Sequence, residues 1–92
     1  MDSNQFVAIV AQAAMRQGVS TERLGLSINA ATGRYANTAL FPARLVDGPP
    51  ADTVELGSRE PKGLVATLTH CAKLKRTLYC VPDGLDTFKV YW

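Results

Sequence analysis

The amino-acid sequence predicts an α+β fold, a small and mostly antiparallel sheet with two helices, in the approximate order α-β-β-β-α-β-β. Apolar residues recur at helical spacing near the start of the chain and alternate with a period of two in later segments. The turn sequence Pro82-Asp83-Gly84 separates two β-prone runs near the end. With 92 residues, the chain is expected to form one domain over 1–92.

The first element is a predicted helix over residues 3–17. Phe6 and Val10 lie on one apolar stripe of that helix, in an alanine-rich segment that favours helix. Ser3 is suited to cap the first turn, because its hydroxyl can accept from a free backbone amide. Gly18 follows where a left-handed residue commonly ends a helix.

A hairpin is predicted next. Residues 24–30 place apolar side chains at every second position, which is the period of a strand with one buried face. Thr32-Gly33 supplies a turn, and residues 34–41 continue as the second strand. The segment Ala14 to Leu24 also resembles the start of a helix-turn-helix, but the alternation after Leu24 favours a strand.

Pro42 ends or bends the second strand, because it has no amide to donate to a sheet. The strand can resume over 43–46. The run Asp47 to Pro50 predicts an exposed loop, and 53–56 a short strand after it.

Residues 62–77 allow two interpretations. As a helix, the segment has Pro61 in its first turn and Lys73, Lys75 and Arg76 in its last turn, where cations suit the free carbonyls. As a strand, it alternates apolar and polar residues almost regularly. Its length favours the helix.

The chain ends in a predicted hairpin, with strands at 78–81 and 87–92 on either side of Pro82-Asp83-Gly84. Phe88 and Val90 share one face of the last strand with Trp92. We expect this strand to lie at the edge of the sheet.

Composition excludes several classes of protein. The 47% hydrophobic content is that of a folded globule, and the net charge of +2 gives no strong global field. The apolar stretch that starts at Phe6 is too short to span a bilayer and follows the acidic Asp2, so we expect a soluble, cytoplasmic protein without membrane contact. Cys71 and Cys80 are interpreted as buried reduced thiols, with a disulfide between them as the alternative.

No catalytic grouping is evident, so we expect no enzyme, no cofactor and no metal site. His70 could pair with Cys71 or Cys80, but neighbours in sequence do not face each other and no third group is indicated. A single histidine and two cysteines at this spacing do not match a structural zinc site. No glycine-rich phosphate loop is present.

Two binding functions remain open. The first is docking on a protein partner, as a regulator, inhibitor or adaptor, through the aromatic end of the chain; an edge strand there would also allow a homodimer. The candidate protein-binding residues are Phe88, Val90, Tyr91 and Trp92.

The alternative is a nucleic-acid-binding module. Residues 1–60 carry five basic and six acidic residues, whereas 61–92 carry five basic and two acidic ones. Clustered cations gain affinity for phosphates by releasing counterions, and nearby aromatic rings can stack on bases. The candidate nucleic-acid-binding residues are Lys73, Lys75, Arg76, Tyr79 and Lys89.

Overall fold

A computed structural model describes residues 1–92 and contains two α-helices, one 3-10 turn and six strands. The predicted α+β class and order of elements are confirmed, with Ala43–Leu45 forming a strand of its own. The elements are α1 (Ser3–Arg16), a 3-10 turn (Glu22–Leu24), β1 (Leu26–Asn29), β2 (Arg34–Asn37), β3 (Ala43–Leu45), β4 (Glu55–Arg59), α2 (Pro61–Leu74), β5 (Leu78–Pro82) and β6 (Phe88–Tyr91).

The ends of α1 are set by local hydrogen bonds. Asp2, not the predicted Ser3, caps the helix: its carboxylate accepts from the Gln5 amide at 2.8 Å, and Gln5 Oε1 accepts from the Asp2 amide at 2.9 Å. A carboxylate also suits the positive end of the helix better than a hydroxyl does. Gly18 is left-handed at φ +69°, as predicted.

The ambiguous segment is a helix, which confirms the interpretation that its length favoured. α2 has Pro61 in its first turn and ends at Leu74, so Lys73 lies in the last turn while Lys75 and Arg76 follow the helix. The short 3-10 turn leads directly into β1, so the chain has no recognition helix after α1.

The strands form two sheets. β1 and β2 pair as an antiparallel hairpin, and the second sheet has the order β3-β5-β6-β4. In this second sheet β3 is parallel to β5, and the other neighbours are antiparallel. The predicted C-terminal hairpin is confirmed, but β6 lies between β5 and β4, so the prediction of an edge strand there was wrong.

One hydrophobic cluster of 18 buried residues joins the helices to the larger sheet. At its centre, the ring of Phe6 on α1 packs edge-on against Phe88 with centroids 5.3 Å apart, and 6.2 Å from Phe41. Cys71 and Cys80 are buried in this cluster as free thiols. Neither α-helix is long and apolar enough to cross a membrane.

Candidate functional site

The predicted protein-binding surface at the end of the chain is mostly interior. Phe88 and Val90 have no exposed surface, and Tyr91 is 9% exposed with its hydroxyl donating to Glu55 Oε1 at 3.1 Å. Burial and this hydrogen bond raise the pKa of Tyr91. The sequence predicted an edge strand, whereas β6 is paired on both sides. An alternating strand has the same sequence pattern at the edge and in the middle of a sheet, so the pattern does not distinguish the two positions.

The free edges of the larger sheet are β3 and β4. β3 has three residues, and a bulge at Glu55/Gly57 interrupts β4, with Gly57 at φ +95°. Short strands and bulges hinder the addition of a further strand. Neither edge of the larger sheet therefore favours strand addition, and a homodimer through an edge strand stays a prediction.

Basic side chains converge instead at the end of α2. A groove of about 440 Å³ lies between the 3-10 turn, the loop before β3 and the residues that follow α2. We call it the basic groove: Arg23, Arg44, Lys75 and Arg76 line it, and no carboxylate does. An adjoining groove shares Arg23 and adds Lys73, again without an acidic residue. The local field is therefore positive although the net charge of the chain is only +2.

One wall of the basic groove depends on Gly25. This buried glycine has φ +81°, and a Cβ there would lie 2.3 Å from the backbone nitrogen of Phe41. The close approach is held by Thr38, whose amide and hydroxyl both donate to the Gly25 carbonyl, at 2.8 and 2.9 Å. Only glycine fits here, and it brings the loop before β3 against the 3-10 turn that carries Arg23.

Lys75 enters the groove from a strained backbone. Its φ of +54° is one of two positive values at non-glycine residues, the other being Asp52 at +64°. The end of α2 is closed by the Arg76 amide donating to Cys71 O at 3.1 Å and the Lys75 amide donating to Ala72 O at 3.3 Å. Glycine is the usual residue at such a position, so the lysine is held at a cost to stability.

Arg76 also contacts the C-terminal aromatic residue. Its guanidinium carbon lies 4.6 Å from the centroid of the Trp92 ring, and the His70 ring lies 6.3 Å from the same centroid. Trp92 is half-buried, and its backbone is fixed by two hydrogen bonds with Val54, at 2.9 and 3.1 Å. The backbone that carries the ring is therefore held in place beside the basic groove.

The predicted nucleic-acid-binding residues are only partly brought together. Lys75 and Arg76 line the basic groove, and Lys73 lines the adjoining one. Tyr79 and Lys89 lie on the sheet face away from the core, and neither of them lines either groove, although Tyr79 is in register with Arg44 of the basic groove.

The thiols and the histidine do not form a reactive pair. Cys80 has no exposed surface, and burial with the nearby Cys71 raises its pKa to about 12. Burial also raises the pKa of Cys71, partly offset by the charge of Arg76. A protonated, enclosed thiol is a poor nucleophile, and His70 is exposed on the surface of α2. No group of three or more His, Cys, Asp or Glu side chains is placed to hold a metal ion.

Sequence reasoning missed Arg23 and Arg44 as part of the site. Each is an isolated cation in its own segment, about twenty residues or more from the cluster at 73–76 and from the other. The contact between Arg76 and Trp92 was equally hidden. No local pattern signals these residues, because only the folded chain brings them to one groove.

Comparison of the chain with protein-family models, with curated proteins and with solved structures finds no match.

Proposed function

We propose that this protein binds nucleic acid, with its phosphates in the basic groove. The observation that carries the proposal is that four Arg and Lys side chains and no carboxylate line a single groove. Three of the four are arginines, whose planar guanidinium groups match the geometry of phosphate oxygens. The cytoplasmic location expected from the sequence is compatible with such a ligand and belongs to the same proposal.

Lys75 supports the proposal independently. A glycine would relieve the strain at φ +54°, yet the chain carries a cation there. A side chain kept in an unfavourable conformation is more readily explained by what it contacts than by stability. Binding to a protein partner stays a prediction without an assigned surface.

The proposal is tested by fluorescence anisotropy with a labelled single strand of about 15 nucleotides. With about four phosphate contacts, the logarithm of the association constant should fall against the logarithm of salt with a slope of about −3. Affinity should then drop about 50-fold between about 50 and 200 mM salt. Absence of binding at the lower salt concentration, both to this strand and to a duplex of the same length, would refute the proposal.

A matched pair of charge reversals separates the groove from net charge. Arg44→Glu should weaken binding strongly, whereas Lys62→Glu should have little effect. Both residues are exposed, but Lys62 lies in the first turn of α2, about 20 Å along the helix from Lys75. Equal loss in the two variants would mean that net charge alone drives binding. Polyglutamate is the competitor that tests for a general anion site. If it displaces the strand as effectively as an oligonucleotide does, the site binds anions in general, and the proposal is contradicted.

A further inference from the structure

A further groove, separate from the basic groove and the groove that adjoins it, lies at the Trp92 ring. It has a volume of about 420 Å³, within the range of small-ligand sites. We call it the stacking groove; it is lined by Leu56, Arg59, Ala66, Thr67, His70 and Trp92. It thus combines two aromatic rings with a cation and a hydroxyl.

The two rings are arranged so that a flat group can contact both. Their planes are inclined by 30° with centroids 6.3 Å apart. A base sandwiched between two rings needs about 3.5 Å on each side, which is more than this separation provides, so we place the base on Trp92 with His70 beside it. His70 is exposed on α2, whereas the Trp92 backbone is fixed by two hydrogen bonds with Val54.

Arg76 connects the stacking groove to the basic groove. It lines the basic groove, and its guanidinium group lies 4.6 Å from the centroid of the Trp92 ring that lines the stacking groove. Arg76 is therefore placed to contact a ligand that occupies both grooves. This juxtaposition places a stacking surface directly beside a set of phosphate-binding cations.

We propose that the ligand is a single-stranded nucleic acid, with one base stacked on Trp92 beside His70 and the adjacent phosphates in the basic groove. This proposal rests on the proposed function and narrows its ligand class. Unpaired bases have free faces for stacking on aromatic side chains, whereas bases within a duplex are stacked on each other. The phosphates alone would bind either form, so it is the Trp92 platform that selects the single strand.

The test uses the single tryptophan of the chain as its reporter. Three labelled ligands are compared by anisotropy and by Trp92 emission: a single strand, an abasic strand with the same number of phosphates, and a duplex. The single strand should quench Trp92 and bind at least about fivefold more tightly than the abasic strand. If both strands bind with equal affinity and the Trp92 emission is unchanged, the stacking proposal is overturned, while the proposed binding of phosphates in the basic groove is not. A duplex that binds and quenches as well as the single strand would overturn the selectivity.

If the proposed function is wrong, none of the three ligands should change the anisotropy, and this result would overturn both proposals.

Variants of Trp92 then locate the bound base. Trp92→Leu should reduce the ratio of single-strand to abasic affinity to about one, whereas Trp92→Phe should keep most of it.

His70→Ala changes an exposed side chain, so it tests the same groove without a risk to the core, and it should also lower the ratio. Tyr35→Leu removes a half-buried ring from the smaller sheet and should leave the ratio unchanged. Persistence of the full ratio in Trp92→Leu, or its equal loss in Tyr35→Leu, would show that the base does not lie in the stacking groove.

Discussion

Replacing Lys75 with glycine should make the protein more stable and a weaker binder at the same time. The left-handed conformation at φ +54° costs an L-residue about 1–2 kcal/mol, and glycine avoids this cost. Glycine loses about 0.5–1 kcal/mol through the greater freedom of the unfolded chain. The free energy of unfolding should rise by about 0.5–1 kcal/mol, or about 3–6 °C in Tm for a chain of this size. The two backbone hydrogen bonds that close α2 do not involve the side chain and should persist.

The same substitution removes one cation from the basic groove. If Lys75 neutralises one phosphate of a single strand, its loss should reduce the salt slope by about 0.7. At about 50 mM salt, a salt slope that is smaller by about 0.7 corresponds to roughly an eightfold loss of affinity. A residue that served only the fold would not produce opposite changes in stability and binding.

Thermal denaturation followed by circular dichroism measures the first effect, and anisotropy measures the second. Asp52→Gly is the control for stability, because Asp52 has φ +64° and lies outside both grooves; it should stabilise the fold without changing binding. Lys62→Ala is the control for charge. If Lys75→Gly does not stabilise the protein, the assignment of strain is wrong. If it binds as tightly as the unmodified chain, Lys75 does not contact the ligand.

Three further variants test the fold and the site. Gly25→Ala places a Cβ 2.3 Å from the Phe41 nitrogen at φ +81°, so denaturant unfolding should show a loss of about 2–5 kcal/mol; a smaller loss would mean that the loop before β3 moves easily. Cys80 has a pKa of about 12 in the folded chain, against 9.0 for an ordinary thiol, so its thiol ionises first in the unfolded chain as the pH rises. The free energy of unfolding should therefore fall between about pH 9 and 12, and the loss should reach about 3 kcal/mol at pH 11. The variant Cys80→Ala should lack this loss in urea titrations, and an equal loss in both proteins would contradict the burial of the thiol. Arg76→Lys keeps the charge but not the planar group above Trp92, so anisotropy should show an unchanged salt slope and a smaller preference for the single strand over the abasic one. An unchanged preference would show that the Arg76 guanidinium group does not contribute to stacking on Trp92.

Local signals in the sequence were sufficient for most of the secondary structure. The apolar stripe through Phe6 predicted α1, Gly18 its end, and Pro61 the start of α2. These features act within one turn of the chain, so no knowledge of the remaining fold is needed to interpret them. The cap of α1 was missed by one residue because Asp2 and Ser3 are both good capping residues.

Pairing between distant segments could not be predicted in the same way. β4 pairs with β6 across about thirty residues of sequence, and this pairing moves β6 from the edge to the interior of the sheet. The basic groove has the same origin, since Arg23 and Arg44 reach it through the close approach at Gly25. A positive-φ glycine can be suspected from sequence, but the segment that packs against it cannot.

The residues that build the core and the cations that line the basic groove are separate sets. All 18 members of the buried cluster are apolar, and no buried side-chain nitrogen or oxygen lacks a hydrogen-bond partner. None of the four cations of the basic groove belongs to this cluster, and solubility would be served better by charges of both signs interspersed over the surface. Lys75 is the clearest example, because its left-handed backbone conformation lowers stability and its side chain enters a groove without a carboxylate. Stability and solubility thus leave this arrangement unexplained, whereas the proposed ligand, an anion that also stacks on Trp92, would account both for the cations and for the aromatic ring beside them.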